Sequence, residues 1–443
     1  MNALPNLVRA GVEPLTGMLH DYDSLIRRVG NAHFVLLGEA THGTHEFYRE
    51  RAQITKRLIR EKGFCAVAVE ADWPDAYGVN RFVHAAVKEV DTVDALAGFK
   101  RFPQWMWRNA DMLDFIGWLR EHNDEQKKGD RKVGFYGLDL YSLHASIDAV
   151  LAYLAKVDPG SAKRARKRYA CFDHFGKDMQ SYGLATGLGM SATCEQAVVN
   201  ELVELRLREA EYLERDGQIA ADEFFCAEQN AFVIKNAEQY YRTMFRGEVS
   251  SWNLRDRHMM ETLMALAAHL EQFHKPAKIV VWAHNSHLGN ARATQMSERG
   301  EFNLGQLARE RFGHQAVLIG FTTHTGTVTA ASEWDSPAER KQVRPAVPES
   351  YEMLFHHVGY PRFWLDFEKN PEASIELRGS RLERAIGVIY RPETELVSHY
   401  FSARLPDQFN AVLHFDYTRA VEPLERTAEW EAGEVGETFP TGL

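Results

Sequence analysis

The chain of 443 residues contains few cysteines and no long apolar run. Its four cysteines are scattered and form no Cys-x-x-Cys pair, which argues against a thiolate zinc site and a disulfide framework and predicts a reducing cytoplasm. No stretch approaches the ~20 apolar residues that a membrane-spanning helix needs. The first residues lack a basic region that leads into an apolar stretch, so we expect no secretory signal.

The chain also has no excess of positive charge. Lysine and arginine number 52 against 62 aspartates and glutamates, which gives a formal net charge of −10. Such a chain has no general attraction for nucleic acids or anionic membranes. We therefore predict a small-molecule partner, no nucleic acid and no membrane, whereas the oligomeric state is left open by the sequence. The 45% of apolar residues is sufficient for a large buried core.

Three common catalytic motifs are missing. There is no Gly-x-Ser-x-Gly turn, which would mark a serine hydrolase, and no phosphate-binding P-loop. There is also no His-Glu-x-x-His, and one pair of histidines three residues apart is a weak metal signal. We predict no cofactor and no metal site.

Unbroken apolar runs indicate strands that are buried on both faces of a sheet. Four such runs are found at 33–37, 64–69, 132–138 and 278–283. Between the first two, a helix is predicted from the cap Thr44 to Lys62, with Gly63 as its stop. The alternation of strand and helix predicts an α/β fold with a mostly parallel sheet.

A long stretch without strand signal interrupts this pattern. Residues 192–216, 222–246 and 253–273 have the composition of long amphipathic helices. Further strands are predicted at 316–321, 363–367, 384–390 and 409–416. We therefore divide the chain into an α/β core at 1–158 and 276–422, a helical insertion at 159–275 and an irregular tail at 423–443.

Titratable side chains follow four of the predicted strands. Glu39 and His42 follow the first, Glu70 ends the second, Asp139 ends the third, and His284 and His287 follow the fourth. Ligands bind at the carboxyl ends of strands in open α/β sheets, so we expect these groups to converge. Histidines and glutamates together at three such ends favour a functional site.

Each of these residues also has a purely structural interpretation. Glu39 can cap backbone amides, and Glu70 can form a salt bridge with Arg51, which lies two turns into the predicted helix. The pair at 284 and 287 can bond loop backbone. Arg255 and Asp256 can be an ordinary charge pair at a helix start. The aromatic side chains at 102, 105 and 107 belong either to the core or to a substrate-facing wall.

Several ordered segments resemble the motifs of the erythromycin esterase family. Residues 36–43 read Leu-Leu-Gly-Glu-Ala-Thr-His-Gly, and Phe-Tyr-Arg at 47–49 and Arg51 follow. Val-Glu-Ala-Asp-Trp-Pro at 69–74 and Trp-Ala-His-Asn-Ser-His-Leu-Gly at 282–289 are similar to that family's next two motifs. Segments 251–256 and 303–307 add further matches. The chain is identified as a member of this family on these segments.

The resemblance implies a three-layer α/β core with a helical insertion. It also implies hydrolysis of an ester, in the resistance members a macrolide lactone, by water that a histidine activates. By position this histidine is His42, and the other catalytic cleft residues are Glu39, Arg51, Glu70 and His284. We assign Arg255, Asn285 and His287 to substrate binding by the same comparison.

The leading hypothesis is therefore a carboxylic ester or macrolactone hydrolase that needs no nucleophilic serine or cysteine. A histidine can accept a proton from water near neutral pH, and a flanking carboxylate can fix its tautomer. One alternative is a metal-dependent hydrolase that uses the same cluster as ligands. Another is a non-catalytic protein that binds a small molecule or haem. We further expect the helical insertion to supply the walls that select the substrate.

Overall fold

The computed structural model describes residues 3–87, 90–127, 132–176, 178–216 and 218–433. These residues form a nine-stranded sheet in the order β1-β8-β11-β6-β2-β5-β3-β4, with β7 paired to β6, and a two-stranded sheet of β9 and β10. The strands are β1 Glu13–Pro14, β2 Phe34–Leu37, β3 Ala66–Asp72, β4 Gly134–Asp139, β5 Ile279–Trp282, β6 Ala316–Ala330, β7 Glu339–Val343, β8 Arg362–Asp366, β9 Arg381–Arg384, β10 Tyr400–Ala403 and β11 Ala411–Thr418.

The centre of the large sheet is parallel. Strands β11, β6, β2, β5, β3 and β4 pair in parallel, whereas β8, β1 and β7 pair antiparallel at the periphery. The four apolar runs predicted as buried strands correspond to β2, β3, β4 and β5. The predicted mostly parallel α/β fold is confirmed.

Helices cover both faces of this sheet. The helices before β5 are α1 Ala3–Gly11, α2 Asp23–Val29, α3 His45–Lys62, α4 Trp73–Val83, α5 Thr92–Ala95, α6 Ala110–Asp124, α7 Leu143–Val157, α8 Pro159–Tyr169, α9 Met179–Gly187, α10 Glu195–Leu207, α11 Glu209–Asp216, α12 Gln218–Thr243 and α13 Glu248–Glu271. Those after β5 are α14 Asn285–Leu288, α15 Leu304–Phe312, α16 Tyr351–His356, α17 Pro371–Leu377, α18 Glu395–Ser398, α19 Leu405–Gln408 and α20 Ala428–Ala432.

Side chains that alternate along a strand pack into different layers. Val35 and Leu37 of β2 belong to one apolar cluster with side chains of α3 and α6. Leu36 belongs to the opposite cluster, with Met259 and Leu263 of α13. The result is three layers, helix, sheet and helix. Helix α3 begins after Thr44 and ends at Gly63, whose φ of +70° gives the left-handed cap that glycine favours.

The described residues between β4 and β5 contain helices only. Helices α7, α10 and α12 share an apolar cluster of their own, which includes Ile147, Leu202 and Ile234. No helix among the described residues is both long and apolar enough to span a membrane.

Three sequence predictions are wrong in detail. Cys171 and Cys194 form a disulfide, because α9 and the adjoining turns bring their Cα atoms to 5.9 Å across 23 residues. Linear spacing cannot show this approach, and the cysteine argument for a reducing compartment is lost. Most of the predicted strand at 384–390 is irregular, because β9 ends at Arg384. The predicted irregular tail contains α20, and its residues 434–443 lie outside the described ranges.

Candidate active site

A cavity of about 550 Å³ opens at the carboxyl ends of the central strands. The strand ends contribute His42, Glu70, Asp139, His284 and His287 to its lining. Glu70 and Asp139 lie in the last residues of β3 and β4, and the histidines follow β2 and β5. These four strands are neighbours in the sheet, although β5 comes last of the four in the chain. The predicted convergence of the strand ends at one crevice therefore corresponds to a real cavity.

The segment from β2 into α3 forms the first part of the site, which we call the local unit: Glu39, His42 and Arg51. His42 Nδ1 lies 3.0 Å from Glu39 Oε1, and Arg51 Nη2 lies 2.6 Å from Glu39 Oε2. The guanidinium also packs against the rings of Tyr48 and Trp282. Glu39 therefore orients His42 through Nδ1, and Arg51 balances the charge of Glu39.

Close backbone packing fixes this turn. A Cβ atom on Gly43 would lie 1.8 Å from the carbonyl oxygen of Thr329, so no other residue fits there without movement of the backbone. The Tyr48 hydroxyl donates a hydrogen bond of 2.9 Å to the carbonyl oxygen of His42. These contacts hold His42 at the edge of the cavity, directly before α3.

Four chain segments form the second part, which we call the assembled unit: Glu70, Asp139, Arg255, Asp256 and His287. Arg255 donates from Nε to Asp139 Oδ1 at 3.0 Å and from Nη2 to Asp139 Oδ2 at 2.7 Å. The same Nη2 atom donates to Glu70 Oε1 at 2.7 Å. Glu70 Oε2 accepts from the backbone N–H of His284 at 2.9 Å. One guanidinium therefore holds two buried carboxylates.

His287 joins the assembled unit through both ring nitrogens. Nδ1 lies 2.9 Å from Asp256 Oδ2, and Nε2 accepts from Arg255 Nη1 at 2.9 Å. Its ring stacks on Trp252, with centroids 4.4 Å apart. Asp256 also accepts the backbone N–H of Leu304 at 2.8 Å. The tautomer of His287 is thus set by Asp256, and its position by Trp252 and Arg255.

His284 lies between the two units. Its ring centroid is 4.9 Å from that of His42, and its Nδ1 accepts from the backbone N–H of Ser286 at 3.2 Å. Burial lowers the pKa of His284 to about 3, and the neighbouring His42 acts in the same direction. His284 is consequently neutral at physiological pH.

The charges of the assembled unit shift its other pKa values. Burial opposes the ionisation of Glu70, but His287, Arg255 and His42 hold its pKa well below the usual range. Burial also opposes the ionisation of Asp139, but Arg255 outweighs this effect and lowers the pKa of Asp139. Burial raises the pKa of Asp256 in spite of His287. Burial alone would lower the pKa of His287, but Asp256 and Glu70 leave it raised.

A further pair of carboxyl groups lies on the cavity wall next to β3. Asp72 Oδ2 accepts from Arg101 Nε at 2.8 Å, whereas Asp72 Oδ1 is buried without a hydrogen-bond partner among the described residues. Asp75, on the first turn of α4, forms no ion pair in the described part of the chain. Burial and the charge of Asp72 raise the pKa of Asp75 to about 7. Asp72 belongs to the segment at 69–74 that resembles a family motif, whereas only the position of Asp75 at the helix start could have indicated that residue.

The predicted residues fall into two groups by position. His42, Glu70, Arg255, His284 and His287 line the cavity. Three others do not line it: Glu39, Arg51 and Asn285.

Glu39 and Arg51 stand behind His42, and Arg51 pairs with Glu39 rather than with Glu70. Asn285 is fully buried, donates to the carbonyl oxygen of Phe321 at 2.8 Å, and fills the space beside Gly38. This placement is structural and does not give Asn285 a direct substrate contact. Arg255 is not at a helix start either, because α13 begins at Glu248.

Sequence reasoning missed most of the cavity walls. Phe102 and Trp107 line the cavity, whereas Trp105 packs in the core. Additional walls are formed by residues at 295–301, 334 and 385–401. Of helices α7 to α13, only Trp252 and Arg255 reach the cavity within the described ranges. The insertion supplies less of the walls than expected, because helices α8 to α12 pack mainly on α7 and on one another.

No three histidine, cysteine, aspartate or glutamate side chains converge in a metal-binding arrangement in the part of the chain that the structure describes. Both carboxylates of that hypothesis, and Nε2 of the neighbouring His287, already have partners within the protein. The Glu39 carboxylate pairs with Arg51, that of Glu70 with Arg255 and the His284 amide, and His287 Nε2 accepts from Arg255. The donor set of the metal hypothesis is therefore a poor fit.

Two curated relatives cover most of the chain. The chain is 22% identical over 402 residues to the putative hydrolase YbfO of Bacillus subtilis (strain 168), a match of 86% of this chain and 83% of that protein. It is 21% identical over 322 residues to erythromycin esterase type II of Escherichia coli, a match of 70% of this chain and 73% of that protein.

Solved structures share the fold. A succinoglycan biosynthesis protein aligns with a TM-score of 0.75 at 21% identity, over 95% of this chain and 97% of its own. A protein from Bacillus cereus aligns with a TM-score of 0.75 at 22% identity, over 95% of this chain and 98% of its own. A mutant of the erythromycin esterase EreC in its open conformation aligns with a TM-score of 0.64 at 16% identity, over 93% of this chain and 96% of its own.

The chain also matches the model of a protein family. The family model described as erythromycin esterase matches residues 59–418. The match spans most of the chain, and it includes β3, β4, α13 and α14, which carry the assembled unit. The chain belongs to the erythromycin esterase family.

Proposed function

We propose that the protein hydrolyses a carboxylic ester or a lactone, with His42 as the general base that activates water. One observation carries this proposal: Glu39 engages His42 Nδ1 at 3.0 Å, so that Nε2 is the ring nitrogen left for the cavity. A carboxylate that fixes the tautomer and stabilises the imidazolium is the usual support of a histidine base. Arg51 Nη2 pairs with this carboxylate inside the protein, 2.6 Å from Glu39 Oε2.

In the proposed reaction, His42 Nε2 accepts a proton from water while the water oxygen attacks the carbonyl carbon. The tetrahedral intermediate then collapses, and the imidazolium returns the proton to the departing alkoxide. Arg51 is fully buried behind Glu39 and cannot face the developing oxyanion. Arg255 lines the cavity together with His42, and we assign it to the stabilisation of this oxyanion.

His284 is the other candidate base, and its surroundings argue against it. A general base works best when its pKa lies near the working pH. Burial lowers the pKa of His284 to about 3, which leaves a weak proton acceptor. We assign His284 to the positioning of Glu70 instead, because its backbone N–H donates to Glu70 Oε2 at 2.9 Å.

The cavity supports a substrate with a sizeable apolar part. Its volume of about 550 Å³ lies within the usual range for small-molecule sites. Phe99, Trp107, Trp252 and Trp334 contribute aromatic surface to the walls. A macrolide lactone, named for one relative, is therefore a candidate substrate, and a role in macrolide resistance depends on its cleavage. The cytoplasmic location stays a prediction from the sequence.

The direct test is turnover of a panel of esters and lactones by wild-type protein and by His42→Ala. We expect kcat to fall by about 10²–10⁴-fold with little change in thermal stability. His45→Ala is the matched control, since His45 lies three residues away and pairs with Asp111 outside the cavity. More than roughly a tenth of wild-type kcat in His42→Ala would exclude a general-base role of this size.

The same assay tests the metal-dependent alternative. We expect full activity without added metal and after treatment with EDTA, because the carboxylates of Glu39 and Glu70 are already paired with Arg51 and Arg255. Complete loss of turnover after chelation, with recovery on addition of zinc or manganese, would replace the proposed mechanism by a metal-dependent one.

A further inference from the structure

A second cavity, of about 480 Å³, lies on the outer surface of helix α3. It shares no lining residue with the active-site cavity. Its walls are α3, the segment at 15–22 before α2, and Arg362 at the start of β8. Of the sequence motifs, the segment at 47–49 reaches this cavity through Arg49, and the proposed hydrolysis does not involve the cavity.

The charge of this second cavity is opposite to that of the whole protein. The chain carries a formal net charge of −10, but five basic side chains and two acidic ones line the cavity. The basic residues are Arg49, Lys56, Arg57, Arg60 and Arg362. Those on α3 follow the helical period, so that one face of the helix presents them together. Such a concentration of cations on an acidic protein is a feature of an anion site.

Two of the five cations are neutralised by neighbouring carboxylates. Arg49 Nε donates to Glu50 Oε1 at 2.9 Å. Arg57 pairs with Asp23 at 2.7 Å and with Glu61 at 2.6 Å. These pairs leave three cations to explain.

Lys56, Arg60 and Arg362 form no ion pair with any described residue. Lys56 and Arg60 both lie over the ring of Trp118, at 5.2 and 5.1 Å. Arg362 uses Nε to donate to the carbonyl oxygen of Leu15 at 2.9 Å. The terminal nitrogens of Arg362 lie beside Gly17. A Cβ atom added to Gly17 would lie 3.0 Å from Arg362 Nη2. Gly17 thus leaves room for the guanidinium at the cavity wall.

Burial and charge both act on Lys56. Partial burial lowers the pKa of the Lys56 ammonium, the nearby Asp114 and Glu121 raise it, and the charge of Arg60 lowers it. A bound anion would supply the ion-pair partner that Lys56, Arg60 and Arg362 lack among the described residues. Guanidinium groups bind phosphate oxygens with directed N–H donors, and a lysine adds a point charge.

We propose that this cavity binds a phosphate-bearing anion, held by Lys56, Arg60 and Arg362. The phosphate can belong to a soluble small molecule or to an anionic lipid headgroup. The concave shape of the cavity and the acidity of the protein favour the soluble ligand, because a membrane surface is wide and would meet the negative charge of the rest of the protein. This site is independent of the proposed hydrolysis.

The test is isothermal titration calorimetry of the full chain with inorganic pyrophosphate at low ionic strength. We expect saturable binding by the wild type and a loss of affinity of about tenfold or more in the Arg60→Gln/Arg362→Gln double variant. The control is Arg378→Gln/Arg404→Gln, which makes the same change in net charge at two exposed arginines that line neither cavity. We expect less than about a twofold change for this control.

A second measurement separates the two sources of phosphate. Wild type and both double variants are sedimented with vesicles of phosphatidylcholine, with and without phosphatidylglycerol. Pyrophosphate binding without vesicle binding supports a soluble ligand, and vesicle binding that Arg60→Gln/Arg362→Gln removes supports a lipid headgroup.

Two results would overturn the proposal. They are the absence of any binding to the wild type, and equal binding by the wild type and Arg60→Gln/Arg362→Gln. Lys56→Gln serves as an independent variant if the double variant fails to fold. Circular dichroism and turnover in the ester assay verify folding, because none of these residues lines the active-site cavity.

Discussion

The two halves of the active site are built in different ways. The local unit takes Glu39, His42 and Arg51 from one short segment between β2 and the second turn of α3. The assembled unit joins side chains that are far apart in the chain: Arg255 is 185 residues from Glu70 and 116 from Asp139. In the local unit one arginine forms an ion pair with one carboxylate, and in the assembled unit one arginine forms ion pairs with two.

This difference separates two tasks. A local turn can position a single histidine accurately because few bonds separate it from its orienting carboxylate. A charged wall needs partners from several strands, since the carboxyl ends of neighbouring strands meet only in the folded sheet. The local unit therefore suits the proton transfer that we propose, and the assembled unit suits the fixed charges around it.

The largest effect is expected from Glu70→Gln, which alters the assembled unit without removing volume. Both carboxylate oxygens of Glu70 accept a hydrogen bond, one from Arg255 and one from the backbone N–H of His284. In the variant, the side-chain NH₂ of glutamine must therefore face one of these two donors. We expect kcat to fall by nearly as much as in His42→Ala, about 10²-fold or more.

The control for this variant is Glu46→Gln. Glu46 also accepts from an arginine and a backbone amide, through Arg419 Nε and Arg419 N, but it does not line the cavity. Steady-state kinetics and urea unfolding of both variants separate the catalytic loss from a shared loss of stability. An equal kcat in the two variants would show that Glu70 has only a structural role.

The next-largest effects are expected at the arginines of the two units, Arg255 and Arg51. Arg255→Met leaves two buried carboxylates without their cation, and Arg51→Met leaves one. Removal of one partner of a buried ion pair costs about 3–5 kcal/mol. We expect Arg255→Met to lower the free energy of unfolding in urea by this amount or more, and Arg51→Met to lower it by less. Larger destabilisation by Arg51→Met would place the stronger electrostatic coupling in the local unit.

The smallest effect concerns Asp75, a cavity carboxyl that has no arginine of its own. Burial and Asp72 raise its pKa in the folded protein to about 7, above the ordinary value of 3.8. The folded state therefore binds the proton more tightly, and the stabilisation it gives is present at low pH and lost as the pH rises through about 7.

We therefore expect the stability of the wild type relative to Asp75→Asn to fall by roughly 1–3 kcal/mol between about pH 5 and pH 8. Urea unfolding of both proteins at several pH values measures this difference. Parallel stability curves would mean that Asp75 titrates normally and is well solvated.

The sequence was sufficient for features that depend on neighbouring residues. The apolar runs that became β2, β3, β4 and β5, the limits of α3 and the turn that presents His42 all follow from local patterns. The order of chemistry-bearing residues at the strand ends also predicted where the cavity would lie, because parallel strands end at the same edge. Family membership followed from the same short segments.

The tertiary structure decided every feature that depends on contact between distant segments. It paired Glu70 with Arg255 rather than with Arg51, placed the same Arg255 against Asp139, and joined Cys171 to Cys194. It also buried Asn285 and brought Asp75 to the cavity wall. Partners of this kind are chosen by the packing of whole elements, and a buried charge takes whichever opposite charge that packing brings within reach. The spacing of residues along the chain carries no information about that choice.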